Sequence, residues 1–327
     1  MKQTFIAGVT AAVVFPDGRE WSGAAGAAIL RPRTPMTPRT SIAFDSVTKV
    51  ATAALAMRLV EAGRLRLDDP IRRWFARWRG DHRATVRDLL GHTSGLGDPS
   101  DGYFVSLLRH PHRPVTAAQT LAATPPPGPR TDEAEYSNTG FTLAGVILRR
   151  AAGEPVATAM RRDVLGPGGA GLAFQPAERP HAPLAHAYFY PKSGATPVDA
   201  KAAGPYLPSF AWADAVGTAG ALAGDVPSLA RWGHALLGGH LLKPASLREM
   251  TRFHPGAFWD AYGLGLAESH VDDHEMWGHT GDGLGTHTEL WHLPRQNVTI
   301  AVSWNDDAVD ADAPFLGDLV HAVLGES

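Results

Sequence analysis

The chain has 327 residues, 44% of them hydrophobic and 19% charged, with a formal net charge of −3 and no cysteine. That size and composition permit one large or two ordinary globular domains with a real core, and they exclude disordered and fibrous classes. Interspersed acids and bases leave no basic stripe for nucleic acid or an anionic membrane, and the absence of thiols excludes a disulfide scaffold, a cysteine nucleophile and thiolate metal sites without fixing the compartment.

Phe5 to Phe15 is an apolar stretch after a single lysine, a pattern shared by export signals and strands. The strand is preferred: Val13-Val14-Phe15, a Pro16-Asp17-Gly18 turn and a second run from Trp21 to Leu30 make a hairpin. As written, the chain reads as cytoplasmic; an exported form would carry a leader ahead of this point. No run of about 18 apolar residues occurs, so no membrane-spanning helix is expected.

Ser46-Val47-Thr48-Lys49 places a hydroxyl and an ammonium one helical turn apart. Only five of the 30 basic residues are lysine, and arginine stays protonated, whereas a buried lysine can lose its proton and act as a base for a serine nucleophile. From Ser46 the residues Val47, Val50, Ala51, Ala54, Leu55 and Val60 are apolar on nearly every face up to Gly63, which predicts a buried helix with a glycine stop. Ser46 at its N-terminus meets free N–H groups and the positive end of the helix dipole. Taken alone, the four residues also fit an ordinary helix start with a solvated lysine.

Leu67-Asp68-Asp69-Pro70 and Thr85-Val86-Arg87-Asp88 each start a helix with a capping residue, and Val115 to Ala123 and Gly140 to Ala152 continue the helical pattern to a stop at Gly153. A stiff connector, Pro125 to Pro129, leads to Tyr136-Ser137-Asn138. A tyrosine hydroxyl can shuttle a proton if nearby cations lower its pKa, and an asparagine amide can bind a carbonyl while holding a lysine; Tyr136 as a core edge and Asn138 as a helix cap explain the tripeptide equally well. Gly166 to Pro208 reads as irregular, and Pro227 to Leu237 as a helix. His270 and His274 sit near Asp272 and Asp273, but the following strand leaves no helix face to hold them together, so no metal is expected. In Trp277-Gly278-His279-Thr280-Gly281-Asp282-Gly283, a glycine on an edge strand admits a substrate backbone and His279 lies on the same face, although a histidine in a strand, taken alone, is more often structural. Glu289 to Leu293 and Val298 to Trp304 form a hairpin, and a last helix runs from about Ala313 to Leu324.

Strands at both ends with helices between predict an α/β (α+β) fold: an antiparallel sheet built from both chain ends with helices on its faces, plus an inserted, mostly helical domain. The expected boundaries are 1–64 with 215–327 for the discontinuous sheet domain and 65–214 for the helical one. A pocket belongs at their junction.

Ser-x-x-Lys, Tyr-Ser-Asn and His-Thr-Gly, in that order and separated by about 90 and 140 residues, resemble the penicillin-recognising serine hydrolases: class C β-lactamases, Streptomyces-type D-alanyl-D-alanine carboxypeptidases, D-aminopeptidases and β-lactamase-like esterases. Leu90-Gly91-His92-Thr93-Ser94-Gly95-Leu96, Tyr136 to Phe141 and Tyr262-Gly263-Leu264-Gly265-Leu266 extend the likeness along almost the whole chain. The resemblance implies a β-lactamase/transpeptidase-like fold in which Ser46 attacks an acyl carbon, Lys49 accepts its proton and Tyr136 passes a proton to the leaving group. It implies an oxyanion hole from the N–H groups of Ser46 and Asp282, each donor contributing on the order of 3 kcal/mol. It also implies substrate contacts from Asn138, His279, Thr280, Gly281, Asp282, Phe104 and Trp212, release by water, and no metal or organic cofactor; core packing explains Phe104 and Trp212 about as well, and a solvated loop aspartate pointing away is the alternative for Asp282. His279 stands where β-lactamases have lysine, which puts a neutral or switchable group in the pocket.

The carboxypeptidases meet a free carboxylate with a threonine after His-Thr-Gly and an arginine after Gly-Leu-Gly-Leu; this chain has Asp282 and Ala267. Two like charges at about 4 Å cost roughly 4 kcal/mol at an effective dielectric near 20. The expected substrate is therefore a small ester, amide or short peptide lacking a free C-terminal carboxylate, or one carrying an amine, hydrolysed or passed to another acceptor. Carboxypeptidase or β-lactamase action is the enzymatic alternative. A sensor acylated by β-lactams without release is the non-enzymatic one. Trp277 and Trp291 read as packing residues.

Overall fold

Strand β1 (Gly8–Val14) lies between β2 (Glu20–Ile29) and β13 (Val298–Trp304), so the two ends of the chain meet at the centre of one sheet. This computed structural model describes residues 6–75, 78, 80–166, 168–189, 198–200, 207, 209–256, 258–307 and 315–325. With β3 (Thr34–Pro35), β9 (Ala261–Tyr262), β10 (Ala267–Val271), β11 (His274–Gly283) and β12 (Thr286–Leu293), the antiparallel order is β3-β2-β1-β13-β12-β11-β10-β9. Both expected hairpins are present, the second turning at Asn297, whose φ of 51° is a conformation that asparagine tolerates. β11 pairs with β10 only as far as Gly278, and with β12 up to Gly283. Beyond Gly278 the β10 side of β11 is therefore open, and the site forms along that edge.

Helix α1 (Thr48–Glu61) runs on the inner side of the sheet and is buried almost all round, as its apolar pattern requires; Gly63, at φ 69°, turns the chain away after it. Helices α2 (Ile71–Trp74), α3 (Val86–Leu90), α4 (Asp101–Arg109), α5 (Ala117–Ala122), α6 (Asn138–Ala152), α7 (Val156–Met160) and α8 (Phe210–Gly220) form most of the middle of the chain. α9 (Val226–Leu237) packs on β1, β12 and β13, α10 (Pro244–Met250) follows, and α11 (Phe315–Leu324) covers the outer face, where Val320 meets Val13, Trp291 and Ile300. A small sheet of β4 (Ile42–Asp45), β8 (Leu222–Gly224) and β5 (Leu172–Phe174) ties the middle segment to the chain on either side of it, and β6 (Tyr188–Phe189) pairs with β7 (Val198–Asp199).

Local chemistry explains where elements begin. Thr85 caps α3 as expected, and Asp88 answers it to complete a capping box. α2 is a single turn preceded by Pro70, and Asp69 accepts the Arg66 N–H rather than capping it. α6 starts at Asn138, two residues earlier than the pattern suggested, because Ser137 Oγ accepts the Gly140 N–H at 3.0 Å. Helices α4, α7, α8 and α10 were not expected, and β5, β6 and β7 lie inside the segment read as irregular. Parts of that segment, at 167, 190–197, 201–206 and 208, and the first residues of the expected last helix lie outside the described residues.

Leu55 is wholly buried in α1. Leu55→Ala is expected to cost about 3 kcal/mol of unfolding free energy, read from denaturant midpoints; a change under about 1 kcal/mol would show that α1 is not packed as described.

Candidate active site

The chain enters α1 through Asp45, whose φ of 44° is strained for a residue with a side chain. Thr48 Oγ1 donates to the Asp45 carbonyl at 2.6 Å and accepts the Leu222 N–H at 2.8 Å, fixing this turn against β8. Val47 occupies the cap position, so Ser46 lies one residue ahead of it, and Lys49 is one turn further on.

Lys49 is fully buried. Its Nζ is 2.9 Å from Ser46 Oγ, 2.8 Å from Asn138 Oδ1 and 2.9 Å from the Ala219 carbonyl. The amide of Asn138 is oriented by its Nδ2, which donates to Asp98 Oδ2 at 2.9 Å, so Oδ1 faces the lysine. As an ammonium, Lys49 donates to all three oxygens. As a neutral amine it has two N–H bonds, both taken by groups that can only accept, and its lone pair is left for the proton of Ser46. Burial favours that neutral form and pulls Lys49 down to about 7, against the opposing charges of Asp98 and Asp45.

Tyr136 donates its hydroxyl to Ser46 Oγ at 2.6 Å. Burial holds this phenol above its ordinary range despite that bond, which corrects the expectation that cations would lower it. Tyr136 rests neutral, as a donor.

Gly281 sets how closely β11 approaches. A Cβ there would collide with the Phe44 carbonyl and crowd the Ser46 N–H, so only glycine lets the open edge lie against the turn that carries Ser46. His279 shares that face but is fully buried rather than lining the cleft. The Thr280 carbonyl can only accept, so Nδ1 carries the proton and Nε2 accepts from Tyr262 Oη at 3.0 Å. Burial, reinforced by Lys49, lowers His279 to about 3, and the neutral ring sits against Trp259, with centroids 4.9 Å apart.

A cleft of about 700 Å³ brings together Ser46, Tyr136, Asn138, Thr280 and Asp282 with Phe258, Trp259, Glu289 and Trp291. Phe104 and Trp212 are not among its lining; they pack on each other at 5.5 Å, and Phe104 also packs against a cluster with Leu107 and Val115. The aromatic wall comes instead from Phe258 and Trp259, which the sequence reading passed over although they stand just ahead of the Tyr262 motif. Trp291 packs with Val13, Ile300 and Val320, as read, and also borders the cleft, and Trp277 packs on Phe253. Ala267 is buried and offers the cleft no cation, and among the described lining residues none is lysine or arginine.

Asp282 is exposed but not alone: His287 Nδ1 lies 2.6 Å from its Oδ1, and His287 Nε2 lies 2.8 Å from Glu289 Oε1. Burial works against a charged ring there, but the two carboxylates outweigh it and push His287 up to about 9. This ion-paired ladder carries one net negative charge, so the repulsion expected from a bare Asp282 is weakened without changing sign. Of the suggestive histidines, His270 pairs with Asp260 at 2.9 Å and His274 meets Gln296; among the described residues no group of three or more ligand side chains is placed to hold a metal.

Burial pushes the Asp45 carboxyl from 3.8 to about 7. Between those values the folded protein holds more protons than the unfolded chain, so this group's contribution to stability falls as pH rises through the window and stays lost above it. Asp45→Asn, which tolerates the positive φ, is expected to raise the melting temperature at about pH 8 and to flatten the decline below pH 7; an unaltered pH dependence would contradict the shift.

A family model described as Beta-lactamase matches residues 1–324. Among solved structures, a D-stereospecific amidohydrolase from Streptomyces sp. superposes with a TM-score of 0.82 at 26% identity, covering 98% of this chain and 95% of that one. A D-amino acid amidase from Ochrobactrum anthropi SV3, complexed with L-phenylalanine amide, gives a TM-score of 0.80 at 25% identity over 97% and 91% of the two chains. An unguisins hydrolase from Aspergillus campestris is 29% identical over 329 residues, 89% of this chain and 58% of its own length. The first curated relatives, from Mycobacterium tuberculosis, are 33% identical over 160 residues, and the match spans 41% of this chain and 39% of theirs. No helix among the described residues is long and apolar enough to cross a membrane. Fold, motif order and family match agree: the chain belongs to the β-lactamase family and has the fold of its hydrolases.

Proposed function

We propose that this protein is a serine hydrolase that forms an acyl-enzyme on Ser46 and cleaves a small amide or ester lacking a free carboxylate at its leaving end. The observation that carries this reading is the hydrogen-bond arithmetic at Lys49, whose neutral amine has one lone pair and one group, Ser46 Oγ at 2.9 Å, left to receive it. Lys49 takes the serine proton as Oγ attacks the carbonyl carbon. The N–H groups of Ser46 and Asp282 receive the oxyanion, with Gly281 permitting their approach. Tyr136, 2.6 Å from Oγ, is the proton donor on the leaving-group side, and Lys49 passes the serine's proton back to Tyr136, so in sum one proton moves from Ser46 to the departing amine or alcohol. Water then releases the acyl group.

The cleft supports the substrate class. Phe258 and Trp259 offer an apolar wall, the Asp282–His287–Glu289 ladder disfavours an anionic end and suits an amine, and the lining supplies no lysine or arginine among the described residues. The similarity to a D-stereospecific amidohydrolase and a D-amino acid amidase makes amino acid amides the first substrates to try.

Intact mass and turnover with D- and L-phenylalanine amide, a p-nitrophenyl ester, a penicillin and a D-Ala-D-Ala peptide separate the readings. Amide or ester turnover that falls by at least about 10³-fold in Ser46→Ala, with no lasting penicilloyl adduct, is expected. Peptide cleavage would restore the carboxypeptidase, and a persistent adduct without turnover would restore the sensor. Because only the neutral amine can accept a proton, kcat/KM should rise with pH through a midpoint near 7, the value to which burial brings Lys49. Lys49→Arg should abolish turnover at every pH, since a guanidinium stays protonated.

A further inference from the structure

Asp98 follows the His92-Thr93-Ser94-Gly95 turn between α3 and α4 and is not among the described lining of the cleft. Its carboxylate accepts the N–H of Asn138 at 3.0 Å, the N–H of Thr139 at 2.8 Å and the hydroxyl of Ser137 at 3.4 Å. Those bonds cap α6 and would be explained by its free N–H groups alone. A fourth bond is not: Asp98 Oδ2 also accepts Asn138 Nδ2 at 2.9 Å. A carboxylate can only accept, so the amide must turn its nitrogen toward Asp98 and its oxygen toward Lys49. In the reversed amide, Nδ2 would point at Lys49 Nζ and compete with Ser46 for the amine's lone pair, while Oδ1 would face a carboxylate.

We propose that Asp98 is a positioning residue that fixes the orientation of the Asn138 amide and, through it, aims the free lone pair of Lys49 at Ser46. The inference rests on the reading of Ser46 and Lys49 given above. The charge of Asp98 has a second, separable effect. The ionisable groups around Lys49 are Asp98 from the α3–α4 loop, Asp45 at the end of β4, Tyr136 ahead of α6, His92 after α3 and His279 on β11. The Tyr136 phenol and both histidines are held neutral, and Asp98 acts on the lysine more strongly than Asp45 does, in the direction that favours the ammonium.

Asp98→Asn preserves the shape but supplies a donor as well as an acceptor, so both orientations of Asn138 become satisfiable. On the substrate that wild type turns over fastest, kcat is expected to fall by about 10- to 100-fold with KM within about threefold, and the rising limb of the pH profile is expected to move to lower pH. A residue that only caps α6 would lower the melting temperature and, through its charge, still move the pH midpoint, but it would leave kcat within about twofold of wild type, and that result overturns the proposal. If Asp98→Asn does not fold, Asp98→Glu decides: the longer arm displaces the carboxylate from Nδ2 while keeping its charge. A reduced kcat at an unmoved midpoint is then the expected result, and wild-type kcat overturns the proposal. Ser46→Ala runs alongside. Retained turnover there removes the underlying catalytic reading, whereas an inactive Ser46→Ala beside an unaffected Asp98→Asn removes only the role given to Asp98.

Discussion

A primary amine sealed in a protein interior must account for each of its hydrogens, and the rest of this site follows from how Lys49 does so. Two acceptors, the Asn138 amide oxygen and the Ala219 carbonyl, come from helices on different sides of the lysine, α6 and α8, and the third neighbour is the serine hydroxyl. Burial removes the water that would otherwise stabilise the ammonium, so charge and geometry favour the same species. The strained turn at Asp45, the glycine at 281 and the cap on α6 all serve to hold three chain segments around one nitrogen.

The sheet matters to this arrangement for a topological reason. β11 is paired on both sides in its first half and on one side in its second, so it is rigid where it is anchored and open where a substrate could lie along it. Gly281 sits in the open half, against the turn that carries Ser46. Behind it, neutral His279 ties β11 to Tyr262, and the aromatic layer of Trp259, Tyr262 and His92 backs Tyr136. Asp282 on this strand, with His287 and Glu289 on the neighbouring β12, carries the opposite chemistry, a charged ladder from Asp282 through His287 to Glu289.

Much of this could be read from the residues. The lysine in an arginine-rich chain, the featureless apolar pattern of α1 and the glycine stops at 63 and 153 each express a local constraint with few solutions, and they fixed the helices and the Ser46–Lys49 pair. The terminal hairpins were legible because turn residues, Pro16-Asp17-Gly18 and Pro294 to Asn297, separate the runs on either side. What escaped depended on tertiary context. α8 follows a stretch rich in glycine and proline, and its cap, Ser209, is an unremarkable residue until the helix is seen. Phe104 and Trp212 had the right chemistry for a cleft but spend it on each other, while Phe258 and Trp259 reach the cleft from a loop with no periodicity to betray them. His279 shares a strand face with Gly281, as alternation requires, yet that face turns inward, so period alone could not tell lining from core. Asp98 gave no sequence signal, since its importance lies in which end of a distant amide it meets.

The ionisation of Lys49 tests the account most directly. In Ser46→Ala protein with isotopically labelled lysines, an NMR titration of the Lys49 side chain should give a midpoint near 7, well separated from the other lysines. A midpoint near that of a free lysine, about 10.4, would mean that the amine stays charged at neutral pH and cannot be the base.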